Sequence, residues 1–329
     1  MNAKNSQQFQ YLQLALPKRQ RCQEAPMLHG IALRYFVEVA RTGSLAAASE
    51  NLHVAVSAIS RQIGKLERDV GTALFERMPR GMVLTDSGAR LAEHARRALL
   101  EGDAVLAEIA VSKALGRGIV RIGCTEGFTR SFVPHLLAQH FAQAPHVRFN
   151  LRSGPPGQVE QWVALGEVDV GLAFSSGDVA KVDVQYSAEA PVCALLAPDH
   201  PLAGRAVLTL ADLRDYPLAL LEQGNTVRAL FDGCCARHGI RFDPVLTSNN
   251  SSALHAFASL SGAITLGSRL ALCGLGSDLS LVARPFEEPL LRQRNLCVMT
   301  MRERRLSNAI RSVLDALIRE IEQALGRPV

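Results

Sequence analysis

Apolar residues recur every three to four positions between residues 33 and 109, and from residue 119 they gather into short runs separated by helical patterns. Leu33, Phe36, Val37 and Ala40 mark one face of a first helix, which Thr42-Gly43 ends. Ser44 is placed to cap a second helix over residues 45–51. A third helix, over residues 57–70, carries Ile59, Ile63, Leu66 and Val70 on one face, Arg61, Lys65 and Arg68 on the other, and Gly71 as its stop. Leu74-Phe75-Glu76-Arg77 and Met82-Val83-Leu84-Thr85 flank a turn at Met78-Pro79-Arg80-Gly81, which predicts a hairpin. The order is helix, helix, helix, wing. Pro79 is the only proline between Pro26 and Pro134, as a mostly helical stretch requires. Residues 86–116 read as a helix of about 30 residues, with an apolar stripe at Leu91, Ala95, Ala98, Leu99, Gly102, Val105, Leu106 and Ile109. A helix of that length with a polar remainder calls for a partner helix, and Gly116-Arg117-Gly118 breaks it.

Beyond that break, apolar runs at 120–124, 147–151 and 168–174 alternate with helical patterns near 131–143 and 158–165. The alternation returns as runs at 192–197, 218–221, 245–247 and 263–266 with helices over 227–238 and 253–260, and a last helix covers 306–325. Strands alternating with helices predict mainly parallel sheets covered by helices, here in two α/β lobes.

A length of 329 residues suits two or three domains, and 48% hydrophobic with 20% charged residues excludes disordered, collagen-like and disulfide-knotted classes. Net charge is +5, and its placement is uneven: +3 in residues 1–26, +2 in 27–90 and zero in 91–329. The excess at the start favours a polyanion-facing N-terminal module. The seven cysteines, at 22, 124, 193, 234, 235, 273 and 297, form no C-x-x-C pair, which points to a reducing cytosol and a cytoplasmic protein. The longest uncharged stretch, 244–268, contains Asn249, Asn250, His255 and several serines, too polar to span a bilayer, so no membrane association is expected. Residues 1–26 read as a disordered arm, or as sequence upstream of a true start at Met27.

The helical module is the most informative part for chemistry. The DNA major groove admits one α-helix, presented with its apolar face on the domain and polar residues toward base edges. Ser57, Ser60, Arg61 and Lys65 suit that task, with Arg77 and Arg80 on the wing facing flanking phosphates. A solvated helix face is the alternative. No phosphate-binding loop, H-E-x-x-H zinc motif or G-x-S-x-G elbow is present, so no enzyme and no cofactor is expected. His135, His140 and His146 do not line one helix face, which argues against a metal site. Cys234-Cys235 are vicinal, and vicinal cysteines make only a strained bridge.

Leu33-Arg34-Tyr35-Phe36-Val37-Glu38-Val39-Ala40, Gly43-Ser44, Ala47-Ala48, Leu52, Ser60-Arg61-Gln62-Ile63, Leu66-Glu67, Gly71, Leu74-Phe75-Glu76-Arg77 and Leu84-Thr85-Asp86-Ser87-Gly88 together resemble the winged helix-turn-helix of LysR-type transcriptional regulators. Weaker resemblance continues through Gly166-Glu167-Val168-Asp169-Val170-Gly171-Leu172, Asp199-His200-Pro201-Leu202, Leu210-Ala211-Asp212-Leu213 and Tyr216-Pro217, so it spans essentially residues 29–320. Two departures stand out. Val56-Ser57 replaces the Gln-Pro of many members, leaving Val56 to touch a thymine methyl, and Leu260-Ser261-Gly262-Ala263 with Gly267 replaces a glycine-rich turn.

The resemblance implies an α/β protein with an N-terminal all-α winged helix-turn-helix (27–86), a long linker and dimerisation helix (87–117), and a two-lobed effector domain like periplasmic binding proteins (118–329). Lobe I would comprise about 118–185 and 296–329, and lobe II about 186–295, with crossings near 174–190 and 290–301. Ser44 joins Val56, Ser57, Ser60, Arg61, Lys65, Arg77 and Arg80 as DNA-contact candidates. Cys124, Thr125, Glu126, Arg152, Ser153, Gly154, Gly224, Asn225, Thr226, Asn249 and Asn250 are the candidates for holding a small anionic effector, with Arg228 in support, because helix amino ends favour anions. Leu91, Leu99 and Leu106 would pair the linker helices. Implied partners are double-stranded operator DNA, an effector, further copies of the chain as a dimer or dimer of dimers, and RNA polymerase. A redox-switched regulator of the same family and a two-lobed solute-binding protein are the alternatives.

Overall fold

The computed structural model describes residues 30–79, 81–112, 118–175, 181–272 and 280–326. It divides into two compact units, one ending at Leu99 and the other beginning at Leu100. The arm (1–26), Arg80, Gly116-Arg117, Cys22 and Cys273 lie outside the described residues.

In the first unit, helix α1 (Gly30–Thr42) buries Ala32, Leu33, Phe36 and Val39, and Gly43 ends it in the left-handed region at φ 66°. The Ser44 side chain accepts from Ala47 N–H to start α2 (Leu45–Leu52). In α3 (Val56–Val70) Ile59, Ile63 and Leu66 are buried at helical spacing, and Gly71, at φ 79°, returns its N–H to Glu67 O. Strands β1 (Phe75–Met78) and β2 (Gly81–Leu84) pair antiparallel with Phe75 opposite Leu84. One Glu67 oxygen accepts from the N–H groups of Leu74 (2.9 Å) and Phe75 (3.3 Å), which ties the wing to α3. The three helices and the two strands enclose one core, in which the Phe36 and Phe75 rings lie 5.2 Å apart.

Helix α4 (Asp86–Ser112) follows. A Cβ at Gly88 would lie 2.0 Å from Leu74 O, so only glycine lets the helix approach the chain that enters β1. Ala92 and Ala95 are buried in the core of this unit, and Leu91 and Leu99 pack half-buried against it. These two leucines, expected to pair the linker helices, thus spend part of their apolar surface within their own unit. Leu106 differs, at 66% exposed beside Val105 and Ile109.

The second unit holds two five-stranded sheets. Along the chain come β3 (Ile119–Cys124), α5 (Phe132–Gln143), β4 (Arg148–Ser153), α6 (Pro156–Ala164), β5 (Val170–Ser175), β6 (Val182–Glu189), β7 (Cys193–Leu196), β8 (Leu218–Leu221), α7 (Thr226–Arg237), β9 (Leu246–Ser248), α8 (Ser251–Ser261), β10 (Ile264–Gly267), β11 (Val282–Pro285), α9 (Pro289–Arg292), β12 (Asn295–Met301) and α10 (Asn308–Gly326). One sheet has the order β4-β3-β5-β12-β6, the other β11-β7-β10-β8-β9. In the first, β4, β3 and β5 are parallel, and β12 runs antiparallel to β5 and β6. In the second, β10, β8 and β9 are parallel and β7 is antiparallel to β10.

The crossing between lobes is shorter than the sequence suggests. Strand β6 stays paired with β12 as far as Glu189, so residues 186–189 belong to the first lobe, and the chain crosses at 190–192 and returns at 291–294. Hydrogen bonds from Ala190 N to Arg294 O and from Val192 N to Leu291 O, both 2.8 Å, hold the two crossings side by side.

Candidate functional site

Two surfaces bring the candidate residues together. On the first unit, Val56 opens α3 and is 43% exposed; Ser57, Arg61 and Lys65 are exposed on the same helix, Ser60 is half-buried, and Arg77 is exposed on β1. The cap of α3 is Ala55, with no side-chain bond to the helix amino end, so the first-turn N–H groups carry no side-chain partner there. Such a terminus suits a phosphate oxygen. Ser44 uses its hydroxyl inside the fold, as the cap of α2.

In the second unit, the carboxyl ends of β3, β4, β8, β9 and β10 all reach one cavity of about 340 Å³, the place where parallel sheets bind ligands. Thr125, Glu126, Ser153 and Gly154 line it from the first lobe; Gly224, Asn225, Thr226 and Asn249 line it from the second. The Asn225 side chain accepts from Val227 N–H and fixes the start of α7 at the cavity wall.

Three candidates do not line the cavity. Cys124 is fully buried beneath it. Arg152 pairs with Glu167 at 3.1 Å and lies 4.2 Å over the Trp162 ring. Asn250 spends its side-chain oxygen on Ala253 N–H as the cap of α8. Arg228, likewise, is engaged by Asp232 at 2.8 Å and by Leu221 O.

Ser251, which follows Asn249-Asn250 at a helix start as expected of the cleft, also lines it, and the structure adds Phe174, His255, Ser268 and Arg294, which the sequence does not single out. Arg294 is 1% exposed, and its guanidinium lies 4.1 Å over the Phe174 ring. Nε donates to Ala190 O at 2.9 Å, while an Nη atom has no hydrogen-bond partner. Burial pulls its pKa down to about 10, which still leaves it cationic at neutral pH. Across the cavity, Glu126 of the first lobe accepts from Ser251 N–H (3.0 Å) and from the Ser251 hydroxyl at the start of α8.

His255 is buried in the cavity wall, and burial, with Arg130 nearby, pulls its pKa down to about 4. His140 and His200 move in the same direction, also through burial. The unfolded chain takes up these protons near pH 6.5, whereas the folded chain holds His255 neutral to about pH 4. Stability is therefore full above pH 6.5 and falls as the pH drops toward 4, with His255 contributing up to about 3 kcal/mol of the loss. Urea unfolding of the second unit between pH 7.5 and 4 should show this fall, and His255→Phe should flatten it.

The five described cysteines, 124, 193, 234, 235 and 297, are all free and buried. Burial pushes the Cys124 thiol up to about 12, with Glu126 adding to it, and Cys235 up to about 11. A redox switch needs an accessible thiolate, and this burial works against one. Among the described residues no three metal-binding side chains cluster. His140 instead packs edge-on against Phe149, and His135 shares a hydrogen bond with Gln139. Among the described residues, no helix is long and apolar enough to cross a membrane.

A helix-turn-helix with an open helix start in one unit, and a cavity between two α/β lobes in the other, define a ligand-responsive DNA-binding protein. The family model described as "LysR substrate binding domain" matches residues 113–322, and that described as "Bacterial regulatory helix-turn-helix protein, lysR family" matches 31–89. The chain belongs to the LysR family of DNA-binding transcriptional regulators. Among its relatives, the transcriptional activator protein LysR of Escherichia coli (strain K12) is 26% identical over 265 residues, 79% of this chain and 85% of that one. The SDS degradation transcriptional activation protein of a Pseudomonas species is 36% identical over 199 residues, 57% and 62% of the two chains. A full-length OxyR variant from Pseudomonas aeruginosa has a TM-score of 0.63 at 20% identity, covering 88% of this chain and 94% of that one, and shares the fold.

Proposed function

We propose that this regulator reads a dyad-symmetric operator through the start of α3, under the control of a small anion bound between the lobes of the second unit. The observation that carries the reading is the buried, incompletely partnered Arg294 in a cavity formed by parallel-strand ends. Val56, Ser57, Ser60, Arg61 and Lys65 contact bases or phosphates from the groove-facing side of α3, and Arg77 and Arg80 extend the contact to flanking phosphates. Ser44 acts through its cap, by orienting α2.

The exposed apolar residues Val105, Leu106 and Ile109 on α4 supply a seam for a second copy of the chain. Two copies then place two α3 helices on successive half-sites. Effector binding shifts the balance between DNA-bound arrangements, which requires different affinity for each. Activation would engage RNA polymerase. The protein works in the cytoplasm and carries out no catalysis.

The test is selection of bound fragments from sheared genomic DNA at physiological salt, followed by footprinting. One or a few dyad-symmetric sites are expected; sequence-blind binding would sink the reading. Arg61→Ala should weaken operator binding by about 1–3 kcal/mol and relax base preference at one position per half-site. A loss that is uniform over all sequences would instead make Arg61 a phosphate contact.

A further inference from the structure

Two buried polar groups in the lining of the cavity lack hydrogen-bond partners: the Thr125 hydroxyl and an Nη of Arg294. Both residues are at most 9% exposed. Burying such groups without partners costs roughly 1–3 kcal/mol each, more for a charged one. An occupant of the cavity that accepts hydrogen bonds would supply what they lack, and Arg294 makes an anionic acceptor the best match. Its aim is fixed, because Nε is held by Ala190 O and the ring of Phe174 lies under the guanidinium.

The amino end of α8, which would otherwise offer a second anion seat, is already taken. Glu126 fills it with the chain's own carboxylate, bonded to Ser251 N–H and hydroxyl. Arg130 adds a second tie by donating to Ser252 O at 3.4 Å. The ionisable lining residues are Glu126, Glu222, Arg294 and His255, and His255 is neutral at pH 7, so the lining sums to −1. An incoming dianion meets the Glu126 carboxylate, held at the start of α8, and the exposed Glu222, with one guanidinium to answer its two charges. A single carboxylate finds its counter-charge, and a donor on the same molecule finds an acceptor in Glu126.

We propose that the ligand is a small monocarboxylate bearing a hydroxyl or amino donor, seated on Arg294 and Thr125, and that Glu126 excludes dicarboxylates. This rests on the assignment of the cavity as the effector site. Glu126 thereby sets specificity while it ties the lobes through α8.

The test compares lactate with methylmalonate, which differ by a hydroxyl against a second carboxylate. Unfolding temperature of the full chain is followed to 100 mM of each at constant ionic strength, with chloride as control. Lactate should raise it saturably, and methylmalonate should need at least tenfold more for the same rise. Arg294→Met should abolish the lactate response, and Thr125→Val, which leaves Arg294 and its packing in place, should weaken it several-fold. Glu126→Gln should narrow the preference. No saturable response to lactate, equal responses to the two acids, or a lactate response that survives Arg294→Met in a folded protein would each overturn the assignment. Fragment selection with the same preparation separates the two readings: dyad sites recovered without a lactate response leave the regulator standing and remove only this ligand.

Discussion

Phe36→Ala should destabilise the first unit by about 3–5 kcal/mol and remove operator binding at 37 °C. Phe36 is fully buried and tilts against Phe75, so one side chain joins α1 to the first strand of the wing. Truncation removes its burial and leaves a cavity among Leu33, Ile59, Ile63 and Leu74 that these residues only partly fill. The described part of this unit is 69 residues, 30–79 and 81–99. At roughly 0.05–0.15 kcal/mol per residue a unit of that size has little stability in reserve. Urea unfolding should show an early transition moving to lower denaturant while the effector transition holds. An unmoved early transition would mean that the core is less dependent on this ring than its burial indicates.

Asp169→Ala should cost the second unit about 3–5 kcal/mol, although its neighbour Glu167 can be replaced for under about 1 kcal/mol. Asp169 is 1% exposed; one oxygen accepts from Arg121 N–H at 2.7 Å and the other lies 2.8 Å from an Nη of Arg304, itself 3% exposed. The Arg304 contact is an ion pair without good hydrogen-bond alignment. Removing the carboxylate leaves a buried guanidinium and a backbone N–H without their acceptor. Glu167, by contrast, forms its pair with Arg152 at the surface, with side chains 27% and 42% exposed. Urea midpoints of the two alanine variants measure the difference, and equal midpoints would show that the buried pair contributes no more than the exposed one.

The first unit was readable from sequence because every element there carries a local signal. Helical spacing defines α1 and α3, Ser44 caps α2, Gly71 ends α3, and the wing flanks Pro79. The second unit was readable at the buried apolar runs of β5, β7, β8 and β10, whereas the equally buried β12 falls where the sequence suggests only a crossing between lobes. Strand β6 was missed because it is an edge strand whose exposed polar residues, Gln185, Ser187 and Glu189, dilute the apolar signal. Strand β11 is four residues long and ends in a proline, which reads as loop.

The cavity was half legible. The two-lobed domain that the resemblance implies put Thr125, Glu126, Ser153, Gly224 and Asn225 in the cleft, because they lie at strand ends and helix starts. Arg294 was invisible for a different reason. Arg292, Arg294 and Arg302 are equivalent as letters, and only the return of the chain beside Ala190 buries the middle one while Arg292 stays in solvent. Leu91 and Leu99 fell on the correct apolar stripe, but periodicity does not say which partner covers each turn.

The buried cysteines make the effector unit a set of clocks. Cys124 and Cys297 lie in the core of one lobe, Cys193, Cys234 and Cys235 in that of the other, and all five are at most 7% exposed. With Cys22 and Cys273 replaced, the rate at which a thiol reagent reaches each remaining sulfur reports how often the packing around it opens. A ligand held between the lobes would slow those clocks by different amounts, so these buried sulfurs can time the breathing of each half separately.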